Sequence, residues 1–280
     1  MSKPLTESVL RRLTAEAFVS FLSESEKFEA VAHPGCTMAL CNEPVADLNG
    51  IIVGRGANED HFADACRSCL SRDLPFLAIV FPEAGDRIQE VAAELGLVHA
   101  VDFPFMVREA TPIEPTGSED VVVQRAVGDE GALESARVLC GAFNMPEESV
   151  LRAMPASVRD SPGVDVFVAT IEGRAVGSVT LTYHGETAGI WAMGTDPEMQ
   201  KRGIGRRLLS TAMAEARARG SRRFFLGATP AGYRLYESLD FETRVTTTAV
   251  SYTHLRAHET RSVISYAVFC LTMGGGGGGG

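Results

Sequence analysis

The chain has 280 residues, 45% of them hydrophobic, enough for one large core or two ordinary ones. Its 26 Lys and Arg against 36 Asp and Glu leave a net charge of -10 with no basic block, which argues against a surface that tracks nucleic-acid phosphates. The polar opening Met1-Ser2-Lys3-Pro4-Leu5-Thr6-Glu7 precedes no apolar signal core, and no apolar run approaches the ~18 residues of a membrane span, so the expectation is a cytoplasmic protein without membrane or nucleic-acid partners.

Taken in chain order, the apolar pattern predicts a strand over 46–53, a helix over 59–71, a strand over 76–81, a helix over 85–95 and a strand over 98–107. The six cysteines read as reduced thiols. Cys66 and Cys69 form a C-x-x-C that, with Cys36 and Cys41, could supply four zinc ligands. That pair falls inside the predicted helix, where i and i+3 share one buried face, so the expectation is packing and no metal.

The breaker-rich run Thr111-Pro112-Ile113-Glu114-Pro115-Thr116-Gly117-Ser118 reads as a linker over 111–118. Beyond it the pattern predicts a strand over 121–126, helices over 129–143 and 147–154, and strands over 166–170 and 175–183 joined through the hairpin signal Glu172-Gly173-Arg174. A strand over 188–194, a helix over 203–219, a strand over 222–226, a helix over 231–239 and a strand over 242–249 follow. Both halves thus run strand, helix, strand, helix, strand, with equivalents about 141 to 146 residues apart, and Leu95-Gly96-Leu97 stands where the second half has Leu239-Asp240-Phe241. Duplication of one α/β unit is the expectation.

Only the second copy carries loop chemistry. Gln200-Lys201-Arg202-Gly203-Ile204-Gly205 opens a helix whose Leu208, Leu209, Ala212, Met213 and Ala216 repeat at helical spacing. Free amides of a first helical turn and the helix dipole favour bound anions, and glycines admit a phosphate close to the backbone. The equivalent Gly54-Arg55-Gly56-Ala57-Asn58-Glu59-Asp60 puts two carboxylates at the helix start, so the first copy is expected to be structural.

The stretch from Thr195 through Gln200-Lys201-Arg202-Gly203-Ile204-Gly205 to Leu209 resembles the acetyl-CoA loop, Q/R-x-x-G-x-G/A, of the GNAT N-acetyltransferase superfamily. Leu235-Tyr236-Glu237-Ser238-Leu239-Asp240-Phe241 resembles that superfamily's L-Y-E-x-L-G-F. The resemblance implies a fold of α/β class with two GNAT-like units, each a mixed, largely antiparallel twisted sheet flanked by helices. Residues 1–110 would be a degenerate unit and 119–249 the acetyltransferase domain of a tandem arrangement. It implies acetyl-CoA as cosubstrate without a metal, held at Gln200, Lys201, Arg202, Gly203, Ile204, Gly205 and Arg206 and along the backbone of Ala192, Met193 and Thr195. Tyr236 would protonate the leaving thiolate during direct attack by a primary amine of a small molecule or peptide. Asp240 stands where the family has Gly at a helix end with φ > 0, and Thr229 where many members have an Asn that contacts the cofactor.

The residues themselves leave the general base open: Glu186 and His184 are expected in an exposed turn. Trp191 is expected to fill core or line the acceptor cleft. The alternative function is a non-catalytic acyl-CoA-binding sensor. A nucleotide-binding domain is disfavoured, since neither a Walker lysine-serine pair nor G-x-G-x-x-G follows the first strand.

Finally, Val250-Ser251-Tyr252-Thr253-His254-Leu255-Arg256-Ala257-His258-Glu259-Thr260 resembles one reading frame of a transposase adapter used in sequencing libraries. Ile264 to Leu271 resembles the flow-cell primer that follows it, and Gly274 to Gly280 resembles uncalled cycles read as G. Residues 250–280 are therefore expected to be an adapter-derived tail outside the fold.

Overall fold

The computed structural model describes residues 4–252 apart from 110 and 160. The first half contains α1 (Glu7–Leu22), β1 (Glu29–His33), β2 (Cys36–Leu40), β3 (Asn49–Val53), α2 (Glu59–Leu70), β4 (Leu77–Val80), α3 (Asp86–Glu94) and β5 (Val98–Glu109). The second contains β6 (Val122–Arg125), α4 (Gly128–Phe143), α5 (Glu147–Ala153), α6 (Ala156–Arg159), β7 (Val164–Ile171), β8 (Arg174–His184), β9 (Thr187–Thr195), α7 (Ile204–Ala218), β10 (Arg223–Gly227), α8 (Pro230–Glu237) and β11 (Glu242–Ser251). Each predicted element is present within a few residues of its expected ends. The predicted reading stopped short of α1, β1, β2 and α6, although α1 carries its own signals in the Thr6 cap and in Leu10, Leu13, Ala17 and Phe21 at helical spacing.

Among the described residues eleven strands form one sheet in the order β1-β2-β3-β4-β11-β5-β10-β9-β8-β7-β6. Two neighbouring pairs, β3 with β4 and β9 with β10, are parallel, and the remaining pairs are antiparallel. From β1 and from β7 onward the halves repeat one strand order, β6 having no counterpart in the first half, and they differ in a way invisible to periodicity: they exchange their last strands. β5 leaves the first half to pair with β10, β11 leaves the second to pair with β4, and the two exchanged strands pair with each other from Ser251↔Val98 to Glu242↔Val107. Every strand of the repeat thus finds a partner on both sides at the seam, which removes the two edges that separate units would present.

Side chains follow from this. α7 packs on one face through Leu208, Leu209, Ala212, Met213 and Ala216, all fully buried; each buried leucine contributes about 1.5–3 kcal/mol. On the other face α1 lies across the seam, with Phe18 and Phe21 centred 6.0 and 6.1 Å from the Trp191 ring of β9. The β7–β8 hairpin turns at Glu172 and Gly173, both at positive φ, as a tight two-residue turn requires. A bidentate ion pair also ties the halves: Arg152 of α5 donates from Nε and Nη2 at 2.8 and 2.7 Å to Glu43, whose side chain is 2% exposed. The guanidinium holds this carboxyl below the usual glutamate range. Its stabilising contribution is present above that range and is lost as pH falls through the lowered value.

Residues 111–118 lie along α7: Thr116 donates its backbone N–H to Ser210 Oγ at 3.0 Å, and Arg207 donates to Pro115 O at 2.9 Å. At the far end β11 runs past the expected boundary at 249. Val250 and Ser251 pair with β4 and β5, and the Ser251 hydroxyl donates to Phe76 O at 2.9 Å. The rest of the adapter-like tail, from 253 on, lies outside the described residues. Among the described residues no helix is long and apolar enough to cross a membrane.

Because each half lends its last strand, a fragment of residues 4–109 exposes β4 and β5 as open edges. Expressed alone it should show no cooperative thermal transition by circular dichroism, and co-expressed with 111–252 it should be recovered as a 1:1 complex. Sharp, independent transitions in both isolated fragments would contradict the exchange.

Candidate active site

The parallel pair β9 and β10 is joined only at Arg223↔Thr187, Phe224↔Ala188 and Phe225↔Gly189. Beyond Gly189 β9 continues to Thr195 paired with β8 alone, so one backbone edge of its last residues turns toward a gap instead of a strand. Within that stretch the β8–β9 register shifts: Ser178 faces Gly194 and Thr180 faces Trp191, leaving Val179 opposite both Ala192 and Met193. This is a β-bulge, and Ala192 sits in it at φ 45, a left-handed conformation that costs a non-glycine residue on the order of 1–3 kcal/mol. Such strain, set beside an open backbone edge, marks a place where the chain is shaped for something other than stability.

α7 begins at the mouth of the gap. Gly203 precedes it at φ 78 with no side chain capping the helix, and Lys201 is also left-handed at φ 62. The first intrahelical donor is Arg207 N, to Gly203 O at 3.0 Å, so the amides of Ile204, Gly205 and Arg206 belong to the turn without intrahelical acceptors. A Cβ on Gly205 would stand 3.4 Å from Met193 Cε and 3.6 Å from Thr195 Oγ1, which places this helix start directly against β9. Of the other predicted loop residues, Gln200 reaches Thr195 O at 3.5 Å, and Lys201 and Arg202 are exposed, Arg202 near Asp120 at 3.7 Å. Ile204 is 1% exposed and so offers only its backbone, while Arg206 donates to Ser238 Oγ at 2.5 Å and ties α7 to the end of α8.

α8 closes the other side. Thr229 is its N-cap, accepting from Gly232 N at 3.2 Å, and so has a structural duty. Tyr236 is 8% exposed and its ring lies over Gly232, where any Cβ would be 2.7 Å from it. Its hydroxyl points at Met193 Sδ, 3.7 Å away, a weak sulfur acceptor, and burial pushes the phenol up to about 12. Tyr233 turns away, its hydroxyl 3.3 Å from Thr243 Oγ1 on β11. Asp240 adopts the left-handed geometry expected of it, at φ 62.

The first copy lacks each of these features. β3 and β4 stay paired through Val53↔Val80, the β2–β3 register has no shift, and Asn58 Oδ1 accepts from Asp60 N and His61 N at the start of α2.

In front of the gap lies a cavity of about 120 Å³ lined from both halves, with Tyr236, Ala192, Met193 and Trp191 on one side and Phe18 and Phe105 among the residues on the other. Trp191, expected to fill core or line a cleft, does both, and Phe18, Asp47 and Phe105, which the sequence did not single out, come from the half without loop chemistry. One expectation is corrected. His184 is not in a solvated turn: its side chain is 10% exposed, 3.5 Å from Glu16 of α1, and burial lowers its pKa. Glu186 is exposed, as expected. Of the four cysteines weighed as ligands, Cys36, Cys66 and Cys69 lie in one core cluster and Cys41 in another, and burial raises the thiol pKa of each, to about 11 for Cys36 and Cys69 and about 12 for Cys41.

Residues 137–241 match the model of the acetyltransferase (GNAT) family. Among solved structures the chain is similar to a GCN5-related N-acetyltransferase from Kribbella flavida, at 17% identity and a TM-score of 0.65, covering 88% of this chain and 97% of that one. It is also similar to a GCN5-related N-acetyltransferase from Sphaerobacter thermophilus, at 15% identity and a TM-score of 0.56, covering 78% and 76%. A tandem GNAT protein from the clavulanic acid biosynthesis pathway is matched at 14% identity and a TM-score of 0.53, over 89% of this chain and 97% of that one. At these identities the likeness is one of fold. No curated protein matches the chain.

Thr229→Ala should cost about 1 kcal/mol through loss of the α8 cap, read as a lower urea midpoint at unchanged slope, whereas Thr229→Asn should be close to neutral. A neutral Ala variant would show that the cap does not hold the helix that carries Tyr236.

Proposed function

We propose that the second half transfers an acetyl group from acetyl-CoA to an amine by direct attack, and that this is the chain's one acyl-CoA site. The observation that carries the reading is the interrupted β9–β10 pairing beside the Ala192 bulge, faced by the uncapped start of α7. In this reading the backbone of Ala192, Met193 and Thr195 holds the pantetheine arm as a further strand would. The first-turn amides of Ile204, Gly205 and Arg206 meet the pyrophosphate, with Gln200, Lys201, Arg202 and Gly203 forming the rest of the loop. The neutral amine attacks the thioester carbonyl; the C–N bond forms, the C–S bond breaks, and the nitrogen releases its proton to solvent. Tyr236 donates its phenolic proton toward the sulfur, which takes the place now held by Met193 Sδ. A phenol at about 12 is a weaker acid than an ordinary thiol. The burial that raises it also raises the pKa of a thiol formed in the same surroundings, so the two stay close enough for a proton to pass.

Residues 1–110 serve in this reading as a non-catalytic GNAT-like unit, 111–118 as the connection, and 119–249 as the catalytic unit of a cytoplasmic tandem protein. No metal is required by the chemistry.

Calorimetric titration with acetyl-CoA should give one site per chain. In a steady-state assay of CoA release, Tyr236→Phe should lower kcat by about 10²-fold or more while leaving acetyl-CoA affinity nearly unchanged, and Tyr233→Phe should be close to silent. Since the phenol stays protonated up to about 12, wild-type kcat should rise with pH as the amine is neutralised and show no fall from Tyr236 below pH ~11. A Tyr236→Phe enzyme with unchanged kcat would remove the assigned role. Saturable acetyl-CoA binding with no turnover of any amine would favour a sensor.

A further inference from the structure

We propose that the connection between the halves is part of the acyl-CoA site, with Gly117 as a positioning residue that sets where the first turn of α7 begins. The proposal rests on the acetyl-transfer reading for its ligand and on the packing of the connection for its geometry.

Residues 113–118 are held along α7 one after another. Ile113 packs against the core cluster that buries α7, Arg207 donates to Pro115 O at 2.9 Å, and Thr116 donates its backbone N–H to Ser210 Oγ at 3.0 Å. Gly117 then crosses the start of the helix at φ 121, a conformation open to glycine and strained for other residues. A Cβ there would lie 2.6 Å from Gly203 O and 2.8 Å from Arg207 N, the acceptor and the donor of the first hydrogen bond within α7. The contact is mutual, since a Cβ on Gly203 would stand 3.1 Å from Ser118 N.

The two loop glycines thus answer different demands. The absent Cβ of Gly205 faces Leu235, Met193 and Thr195 at the gap, whereas that of Gly203 faces the connection. Gly203 is bare so that two backbones can cross. The hydrogen bond under the crossing marks where intrahelical pairing starts, and it leaves Ile204, Gly205 and Arg206 as the amides read above as pyrophosphate donors. Both atoms that a Cβ at 117 would meet are backbone, so no side-chain rotation relieves the clash and either the connection or the first turn must move. Donors act only at hydrogen-bond distance and direction, so a displaced turn binds an anion less well. Asp120, 3.7 Å from Arg202, adds little, because both side chains are about half exposed. Coupling between two sites is reciprocal, so a ligand that holds the loop also steadies the connection.

In calorimetric titration Gly117→Ala should weaken acetyl-CoA binding about tenfold or more. Gly220→Ala is the control. Gly220 also has a positive φ, 108, but nothing lies within 4 Å of where its Cβ would be, so the variant carries backbone strain without the contact. It should bind acetyl-CoA within about twofold of the wild type. Hydrogen exchange on the wild type needs no variant and decides the matter if Gly117→Ala does not fold: saturating acetyl-CoA should slow the amides of 116–118 together with those of 204–206. Wild-type affinity in Gly117→Ala, equal losses in the two variants, or protection of 204–206 with none at 116–118 would overturn the proposal. A wild type that binds no acetyl-CoA would instead overturn the acetyl-transfer reading, and with it the ligand assigned to this loop.

Discussion

One broken ladder organises the second half. Parallel strands normally remain paired to their ends, because each unpaired backbone group away from water costs free energy comparable to a lost hydrogen bond. β9 gives up pairing with β10 after Gly189 and then bulges at Ala192 and Met193, so the sheet opens where its continuation would have been cheapest. Everything else at the site sits around that opening. α7 starts at it, α8 swings Tyr236 across it, and the cavity fills its front. The equivalent pair β3 and β4 remains joined to Val80 and its following helix is capped by Asn58, so the same topology without the break offers neither an open edge nor free amides.

The exchange of β5 and β11 explains why a half without loop chemistry is still needed. β5 is the outer neighbour of β10, so the strand bordering the gap is held in place by the first half. α1 and the turn bearing Asp47 belong to that half too, and with β5 they supply the wall that faces the bulge. The first copy thus acts as support for the site and as part of its surface, and the Glu43–Arg152 pair fixes the two across their junction.

The elements of the fold were legible because helices with a solvent face and half-buried strands leave periodic traces, as in Leu208, Leu209, Ala212, Met213 and Ala216 on α7. The start of α7 was legible because Gly203 takes the left-handed turn ahead of a helix with an apolar stripe. Partner choice among strands was not, since an exchanged β11 buries the same residues as an unexchanged one. The bulge was equally hidden: Ala192 carries no signature of positive φ, and the conformation is imposed by its neighbours. Asp47 and Phe18 lie far from the loop in sequence and reach the cavity only through the exchange and the placement of α1, so no local pattern could have named them. His184 borders a turn that local sequence marks as exposed, and only the packing of α1 against it, with Glu16 3.5 Å away, covers its side chain.

Backbone hydrogen exchange with and without saturating acetyl-CoA tests the account most directly, since it reads the amides on which the proposed site depends. The account predicts slowed exchange within 190–195 and 203–206, with no change at the corresponding 50–60. Protection confined to the first half, or equal protection in both halves, would contradict it.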